Sequence, residues 1–241
     1  MSHREQLEFV KTVSQCLEHY FRNSRVLEIG SLNINGSVRQ YFENCDYVGI
    51  DIGPGKDVDL VCEGQKYDAP DETYDQVISC EVMEHNPYWI ETFENMWRLC
   101  KPGGLVLMTC ATTGRAEHGT TRTSPENSPI TVNQGWDYYR NLKGTDFSAK
   151  CKLNKKFDNY RFWVNWQSFD LYFIGVKRRS IPEPLFQQQW DRAVETLDSG
   201  MRKTIGKKRR FYRSLAARVG GDHYFELMRR IGKRLTDLHG G

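Results

Sequence analysis

The chain has 241 residues, of which 39% are hydrophobic, 27% charged and 12% aromatic. This composition excludes disorder throughout the chain, because so many apolar residues can bury enough surface to offset the ordering entropy of a domain. No apolar run reaches the roughly 18 residues of a membrane-spanning helix, and the first residues lack the apolar run of a signal peptide. We therefore expect a cytoplasmic protein with one main domain over residues 1–182 and an appended segment over residues 183–241.

The cysteines and the distribution of charge further narrow the possible classes of protein. The 7 cysteines are odd in number and include no CxxC pair, which argues against a disulfide framework and against a structural zinc site. The formal net charge of +3 conceals an asymmetry. Residues 201–241 carry 12 Lys or Arg against 3 Asp or Glu, whereas residues 1–200 carry 22 against 28. The end of the chain is therefore strongly basic.

The first part of the chain predicts one helix followed by alternating strands and helices. Residues 1–24 form the predicted N-terminal helix, because apolar residues recur at spacings of three and four: Leu7, Val10, Val13, Leu17 and Phe21. Five short apolar runs then predict strands: Val26–Ile29, Tyr47–Ile50, Val58–Val61, Gln76–Ser79 and Leu105–Thr109. Helix-like segments such as Ser37–Phe42 and Tyr88–Cys100 lie between them. This alternation is typical of βαβ units with a parallel sheet.

After these strands the chain predicts a long loop and then a strand pair. Residues 111–150 are rich in Gly, Thr, Ser and Asn, with a short predicted helix around Trp136–Leu142. Two predicted strands, Phe157–Trp166 and Phe169–Val176, are close enough to pair antiparallel at one edge. We predict an α/β fold with a doubly wound, seven-stranded, mostly parallel sheet and one antiparallel edge strand.

The appended segment predicts a helical, basic extension. Apolar residues at helical spacing recur over residues 183–199 and 222–238, and the basic run Lys207–Arg210 lies between these two helices. A basic amphipathic helix can lie on an anionic membrane, which would place the protein at the membrane periphery, or it can bind nucleic acid. Alternatively, it packs on its own domain or on a second subunit of a homodimer.

Two strand ends indicate an adenosine-type ligand. The first strand leads into Gly30, and ligands of doubly wound sheets bind at the carboxyl ends of the strands. The second strand ends at Asp51, whose carboxylate can accept hydrogen bonds from both hydroxyls of a ribose. Dinucleotide binding does not follow, because residues 30–36 read GSLNING and the GxGxxG fingerprint is absent.

Two further segments make a family resemblance specific. Residues 74–85 read YDQVISCEVMEH, and residues 99–107 read LCKPGGLVL. The chain resembles class I S-adenosylmethionine-dependent methyltransferases of the small-molecule type, whose members show FD-x-V-x-S-x-x-V-x-EH and L-x-PGG in this order. The resemblance covers about residues 25–110. It implies an enzyme that binds S-adenosyl-L-methionine and releases S-adenosyl-L-homocysteine.

The resemblance also implies which residues contact the cofactor. The methionine end would be lined by Glu28, Gly30, Ser31 and Gly36. Asp51 would hold the ribose, Ile52 would pack on the adenine, and Glu63 and Gly64 would lie at the adenine amino edge. Cys80, Glu81 and His85 would lie beside the transferable methyl group. Where the family has its second glycine, this chain has Leu32, so we expect a different loop path with Asn33 or Asn35 at positive φ.

Methyl transfer to an alcohol needs a group that takes up the acceptor's proton. The reaction itself is an in-line displacement without a covalent enzyme intermediate, in which positioning contributes most. His85 follows the fourth strand, and His118 lies in the loop after the fifth. We predict His118 as the base, because that loop would cover the acceptor, with His85 as the alternative. Structural roles for both histidines stay open.

The long loop also contains the predicted acceptor contacts. Guanidinium groups at Arg115, Arg122 and Arg140 can bind a phosphate or carboxylate, and the rings of Trp136, Tyr138 and Tyr139 can form a wall. Surface arginines and structural aromatic residues are the alternatives. We predict no metal site, because the spacing of Glu117, Glu126 and Asp137 matches no metal-binding pattern.

Several acceptors remain open at this point. We favour a sugar hydroxyl in a cell-surface glycan or polysaccharide pathway, because the loop is rich in hydroxyl and amide groups and the Asn35–Arg39 motif resembles methyltransferases of such pathways. Alternatives are an amine, carboxylate or phosphate-type oxygen of another metabolite, and RNA. The segment SCEV at residues 79–82 argues against methylation of exocyclic base amines, since it replaces the Asn/Asp-Pro-Pro-Tyr/Phe motif of such enzymes. A cofactor-binding protein without catalysis is a further alternative.

Overall fold

The computed structural model describes residues 3–179, 184–203, 213–215 and 221–222. Seven strands form one sheet in the order β3-β2-β1-β4-β5-β7-β6. They are β1 (Arg25–Ile29), β2 (Asp46–Asp51), β3 (Leu60–Val61), β4 (Tyr74–Cys80), β5 (Cys100–Ala111), β6 (Phe157–Asn165) and β7 (Asp170–Lys177). Strands β1 to β5 are parallel, and β7 runs antiparallel to both of its neighbours, β5 and β6. The predicted doubly wound sheet is confirmed, and its antiparallel strand lies one position in from the edge.

The sheet has its switch point between β1 and β4. The chain runs outward from β1 through β2 to β3, returns to β4 on the other side of β1, and continues outward to β5. The loops that follow β1 and β4 therefore leave in opposite directions. In sheets of this kind the resulting crevice at the carboxyl ends of the strands is where ligands bind.

Helices cover both faces of the sheet. They are α1 (Arg4–Cys16), α2 (Trp89–Leu99), α3 (Pro129–Asn133), α4 (Gly144–Cys151), α5 (Leu153–Lys156) and α6 (Pro184–Lys203). Because side chains of a strand alternate between faces, Leu105 and Leu107 of β5 pack with α1 and α6, whereas Val106 and Met108 pack with α2 and α4. The short apolar runs of the sequence are thus strands that are buried on both faces.

The N-terminal helix is shorter than predicted. Helix α1 ends at Cys16, and the chain continues through a 3-10 turn at Glu18–Tyr20. Its apolar face packs as its spacing indicates, with Phe9 stacked on Tyr172 of β7 at 4.3 Å between ring centroids. The next predicted helix, Ser37–Phe42, is only a 3-10 turn at Val38–Tyr41. Helix α1 packs beside this turn and covers the sheet there.

The predicted helix around Trp136–Leu142 is wrong. Helix α3 precedes this segment, and Gly135, at φ 75°, follows that helix. The backbone N–H groups of the segment bond elsewhere: that of Arg140 donates to the Glu84 carbonyl and that of Leu142 to the Ala111 carbonyl. These long-range bonds replace the helical ones, so the segment runs extended across the end of the sheet.

The part of the C-terminal extension that the structure describes belongs to the hydrophobic core between the sheet and α1. Helix α6 buries a stripe of apolar side chains against α1 and β6: Phe186, Trp190, Ala193 and Leu197. The predicted basic run Lys207–Arg210 and almost all of the predicted helix over residues 222–238 lie outside the described residues. Among the described helices, none combines the length and apolar character needed to cross a bilayer.

Candidate functional site

A pocket opens at the carboxyl ends of β1, β2 and β4, at the switch point of the sheet. The empty space within it, including the part that is open to solvent, is about 800 Å³. Seven of the predicted cofactor residues line it: Gly30, Asp51, Ile52, Gly64, Cys80, Glu81 and His85. Trp136 is the one predicted acceptor residue in its wall. The structure thus brings together predicted residues from five separate segments of the sequence.

Asp51 is held rigidly at the end of β2. Its Oδ2 accepts a hydrogen bond from the backbone N–H of Leu32 at 3.1 Å, and its Oδ1 accepts one from the N–H of Ile52 at 2.8 Å. Burial raises the pKa of this carboxyl, and the backbone donors oppose that shift. The two carboxylate oxygens offer about four lone pairs, and the backbone donors use only part of them. Asp51 can therefore accept further hydrogen bonds from a ligand in the pocket.

The loop after β1 follows a path that the sequence did not predict. Neither Asn33 nor Asn35 adopts positive φ, so that expectation is wrong; the positive values belong to Gly30, at 84°, and Gly36, at 125°. The Asn33 side chain makes the turn instead, since its Oδ1 accepts from the Gly36 N–H at 3.0 Å and its Nδ2 donates to Asp57 at 2.6 Å. An asparagine side chain here substitutes for backbone turn bonds.

Gly30 is required by its surroundings as well as by its backbone conformation. A Cβ at this position would overlap the Cγ2 of Val82, which follows β4. The Gly30 N–H donates to the Ile50 carbonyl at 2.8 Å, so the loop stays close to β2. Packing against the neighbouring strand end therefore explains this glycine without any ligand.

Four residues predicted to contact the cofactor lie outside the pocket wall: Glu28, Ser31, Gly36 and Glu63. Glu28 is buried beneath the pocket, where it accepts a hydrogen bond from the Tyr47 hydroxyl at 2.8 Å. Burial raises the pKa of Glu28 to about 7. Glu63 accepts hydrogen bonds from the side chains of Gln65 and Lys66, both at 2.6 Å, near the surface.

A cluster of buried charges supports the wall at Glu81. Its Oε1 accepts a hydrogen bond from the Thr109 hydroxyl at 2.9 Å, and its Oε2 lies 3.5 Å from Nε2 of His3. His3 also pairs with Asp170 at 3.1 Å. Burial lowers the pKa of His3, but the carboxylates of Asp170 and Glu81 outweigh that effect and raise it to about 10. His3 is therefore a cation, and the pKa of Glu81 falls to about 2 despite its burial.

The two histidines predicted as bases lie next to each other. The His85 ring lines the pocket, and the His118 ring packs edge-on against it at 4.9 Å between centroids. Tyr139 contacts both rings at 5.5 and 5.1 Å. His118 itself is outside the pocket wall, one layer behind His85. The acceptor base remains a prediction for either residue.

The predicted arginines are engaged within the protein. Arg115 donates to the Ser168 carbonyl at 2.7 Å and lies 3.4 Å from buried Asp170. Arg122 pairs with Glu117 and Asp137 at the surface, and exposed Arg140 approaches Asp146 at 3.5 Å. Of the predicted aromatic wall, only Trp136 reaches the pocket; Tyr139 donates to the Ala116 carbonyl, and Tyr138 lies outside the lining.

Several lining residues were missed from the sequence. The largest group is a segment around the start of α3 that covers the pocket: Asn127, Ser128, Pro129, Ile130 and Thr131. Leu32, Cys62, Val82 and Asn86 complete the walls between predicted residues. A Pro preceded by polar residues marks a helix start, which was the available signal for the covering segment. No local pattern marked His3.

Comparisons with known proteins agree with this architecture. Residues 1–172 match the model of a family described as a methyltransferase domain, while no curated protein sequence matches the chain. A similar solved structure is Burkholderia thailandensis 1,6-didemethyltoxoflavin-N1-methyltransferase with bound 1,6-didemethyltoxoflavin and S-adenosylhomocysteine. It shares 11% identity and a TM-score of 0.50 over 73% of this chain and 80% of that chain.

A second similar structure is Haemonchus contortus Phospholethanolamine N-methyltransferase 2 in complex with phosphomonomethylethanolamine and S-adenosylhomocysteine. It shares 15% identity and a TM-score of 0.52 over 71% of this chain and 53% of that chain, so the match spans about half of that protein. At these identities the likeness establishes the fold. Because the family model covers most of the chain and its motifs lie around the pocket, this chain belongs to the methyltransferase domain family.

Proposed function

We propose that the protein transfers a methyl group from S-adenosyl-L-methionine to a hydroxyl of a small polar molecule. The observation that carries this proposal is the position of Asp51 in a pocket at the switch point of the sheet, within the family's motif region. Two structural neighbours are described as methyltransferases with S-adenosylhomocysteine bound, which supports the choice of cofactor.

The pocket fits the adenosyl part of this cofactor. Asp51 has free lone pairs for ribose hydroxyls, because backbone N–H groups use only part of its acceptor capacity. Ile52 and Leu32 supply apolar surface to the same pocket, and Gly64, which has no side chain, leaves room in its wall. A planar base can therefore lie between apolar side chains while its sugar is held by the carboxylate.

The opposite end of the pocket suits a positively charged group. Glu81 lines it and is ionised, since the neighbouring His3 cation outweighs the effect of burial on its pKa. A carboxylate is a favourable neighbour for a cation, although His3 already compensates part of the charge of Glu81. When bound, the cofactor supplies an activated methyl group that is attached to a sulfonium sulfur. The sulfur leaves with the electron pair of the broken C–S bond. The protein holds the acceptor oxygen in line with that bond, and the hydroxyl proton passes to the predicted base, His118 or alternatively His85.

The acceptor side combines polar groups with one aromatic face. Asn86, Asn127, Ser128 and Thr131 line this part of the pocket, together with the Trp136 ring. Amide and hydroxyl groups beside an aromatic face suit a ligand with many hydroxyls, because the ring packs on the apolar face of a sugar. We therefore retain a sugar hydroxyl as the proposed acceptor, in a glycan or polysaccharide pathway.

Calorimetric titration with S-adenosylhomocysteine tests the cofactor half. We expect one site per chain with micromolar affinity, and adenosine without the methionine part should bind more weakly. Folded protein that binds neither S-adenosylhomocysteine nor S-adenosylmethionine would refute the proposal.

Transfer of a labelled methyl group tests the acceptor half. Sugars, nucleotide sugars, small amines and RNA are offered separately under the same conditions. Label in the sugar fraction, bound through oxygen, supports the proposal. Label confined to the amines or to RNA would refute the sugar acceptor while leaving methyl transfer intact.

A further inference from the structure

We infer that Glu84, His85 and His118 form a binding site for a divalent transition-metal ion beside the pocket, with His85 in the pocket wall and the other two residues outside it. One donor atom from each residue can be chosen so that all three lie within 4.8 Å of one another. Two of the residues come from the turn after β4 and the third from the loop after β5. The inference does not depend on which molecule accepts the methyl group, but it competes with the prediction of His85 or His118 as the base, because an imidazole nitrogen bound to a metal cannot take up a proton.

Glu84 provides the first argument. It lies in the 3-10 turn Met83–His85 and is completely buried. Among the residues that the structure describes, no other residue donates a hydrogen bond to either of its carboxylate oxygens. An unpaired carboxyl inside a protein costs several kcal/mol or must be compensated by a partner. A bound cation is the partner that two free oxygens would suit.

His85 is likewise buried without hydrogen-bond partners for its polar atoms among the described residues. It is 4% exposed, and neither Nδ1 nor Nε2 has a hydrogen-bond partner within the described part of the chain. A histidine buried for packing alone usually donates one ring N–H to a carbonyl or carboxylate. A free carboxylate beside a free imidazole therefore indicates that something else occupies the space between them.

The tautomer of His118 suits a metal ligand. Its Nδ1 lies 2.9 Å from the Ala116 carbonyl, and a carbonyl only accepts hydrogen bonds. Nδ1 must therefore carry the proton, which leaves the lone pair on Nε2. Metal-bound histidines commonly show this arrangement, with the second ring nitrogen donating to a carbonyl.

A glycine allows the loop that carries His118 to lie close to His85. Gly119, at φ 65°, follows His118, and a Cβ there would lie 2.9 Å from Cε1 of His85. No other residue type would let this loop approach His85 so closely without displacement. The close approach of the two histidine segments is thus built into the backbone.

The donor set identifies the class of ion. Two imidazoles and one carboxylate bind zinc in several enzymes and also suit iron(II) and manganese(II). Donor atoms around a tetrahedral zinc lie about 3.4 Å apart, so the side chains need to close by roughly 1 Å. Three protein ligands would leave a coordination position open, and His85 is the ligand that lines the pocket.

A neighbouring group of three residues has similar geometry but needs no metal ion. His3, Glu81 and Asp170 have donor atoms at similar separations. There, however, the His3 cation lies between the two carboxylates, and Arg115 approaches Asp170 at 3.4 Å. The negative charge is already compensated by groups of the protein, so this second cluster is a salt bridge network.

Metal titration of the full chain, purified without a histidine tag and treated with a chelator, tests the inference. We expect one equivalent of Co²⁺ to produce the visible absorption of a site with nitrogen and oxygen ligands, and Zn²⁺ to displace it. Glu84→Gln and His118→Gln should each lower Zn²⁺ affinity more than tenfold. His19→Gln, a histidine in the turn after α1, is the matched control and should bind as the wild type does.

Folding of the variants is checked by circular dichroism and by thermal unfolding in chelator. Zn²⁺ should raise the melting temperature of the wild type and of His19→Gln, and should leave Glu84→Gln unshifted. Wild-type protein without a stoichiometric site, or folded Glu84→Gln with wild-type Zn²⁺ affinity, would overturn the inference. Binding of S-adenosylhomocysteine in chelator is measured in parallel, so that failure of the metal site and failure of the cofactor site are distinguished.

Discussion

The carboxylate of Asp51 accepts a hydrogen bond from the backbone N–H of Leu32 at 3.1 Å, across the space between β2 and the loop after β1. Leu32 is the residue that departs from the glycine of the family's motif. Although this residue differs from the family's motif, the loop is still hydrogen-bonded to the carboxylate that we assign to the ribose. The side chain of Leu32 adds an apolar wall to the same pocket.

Removal of this carboxylate should abolish tight cofactor binding. We expect Asp51→Ala to weaken S-adenosylhomocysteine affinity more than tenfold, because it removes both the ribose acceptor and the bond to Leu32. Asp46→Ala is the matched control, since Asp46 begins the same strand and forms an exposed ion pair with Arg25. Calorimetry measures both variants, and equal affinities would contradict the assignment of the ribose site.

Substitution of Gly30 should destabilise the protein through one identified contact. Gly30→Ala introduces a Cβ that overlaps Val82 and forces a side chain into positive φ, at a cost of about 1–3 kcal/mol. The double variant Gly30→Ala, Val82→Ala should recover part of this loss, because it removes the overlap and leaves the backbone strain. Urea unfolding of the two single variants and the double variant tests it. Strictly additive effects would show that Val82 is not the cause.

Glu28 should make stability fall as pH rises. Its pKa is raised by burial from the ordinary 4.5 to about 7, so between these values the folded state binds more protons than the unfolded state. The free energy of unfolding therefore decreases with pH over this window, by up to about 3 kcal/mol. Glu28→Gln should remove this dependence and be the more stable protein at pH 8.

Urea unfolding at several pH values between 5 and 8 measures this difference. Glu91→Gln, at an exposed position on α2, serves as the control and should follow the wild type. Parallel profiles for Glu28→Gln and the wild type would mean that Glu28 does not titrate in this range.

His3 should stabilise the protein over a wide pH range. Its folded pKa of about 10 exceeds the ordinary 6.5, so the stabilisation is complete below about pH 6.5 and disappears as pH rises through 10. His3→Gln leaves buried Glu81 and Asp170 without their cation and should cost roughly 3–5 kcal/mol at neutral pH. The deficit should shrink above pH 10. A deficit that stays constant with pH would argue against a charged His3.

The strands around the pocket could be predicted because each is buried on both faces. Such strands appear in the sequence as short apolar runs, and the polar residue that ends each run marks the pocket side, as at Asp51 and Glu81. The sequence pattern therefore predicted the sheet, Gly30 and Asp51, whereas the other five predicted residues of the pocket wall came from the family resemblance. Local signals of this kind need no knowledge of distant parts of the chain.

The remainder of the site depends on contacts between distant segments. The covering segment at 127–131 reads as a polar loop, and its position over the pocket depends on long-range contacts such as the one between Gln134 and the Ile52 carbonyl at 3.3 Å. The extended path of Trp136–Leu142 likewise depends on bonds to Glu84 and Ala111. His3 has its role only because α1 begins beside the end of β4 and the start of β7. No local propensity encodes such relationships.

The packing of α6 against α1 has a consequence for how the protein folds during synthesis. Phe9 and Val10 leave the ribosome early, whereas Trp190 and Leu197, which share their core, emerge only near the end of translation. A nascent chain therefore carries a partly uncovered apolar face until α6 is made, and contacts of such large sequence separation form slowly. This half of the molecule depends on late closure, and the growing chain presents a surface of the kind that chaperones bind.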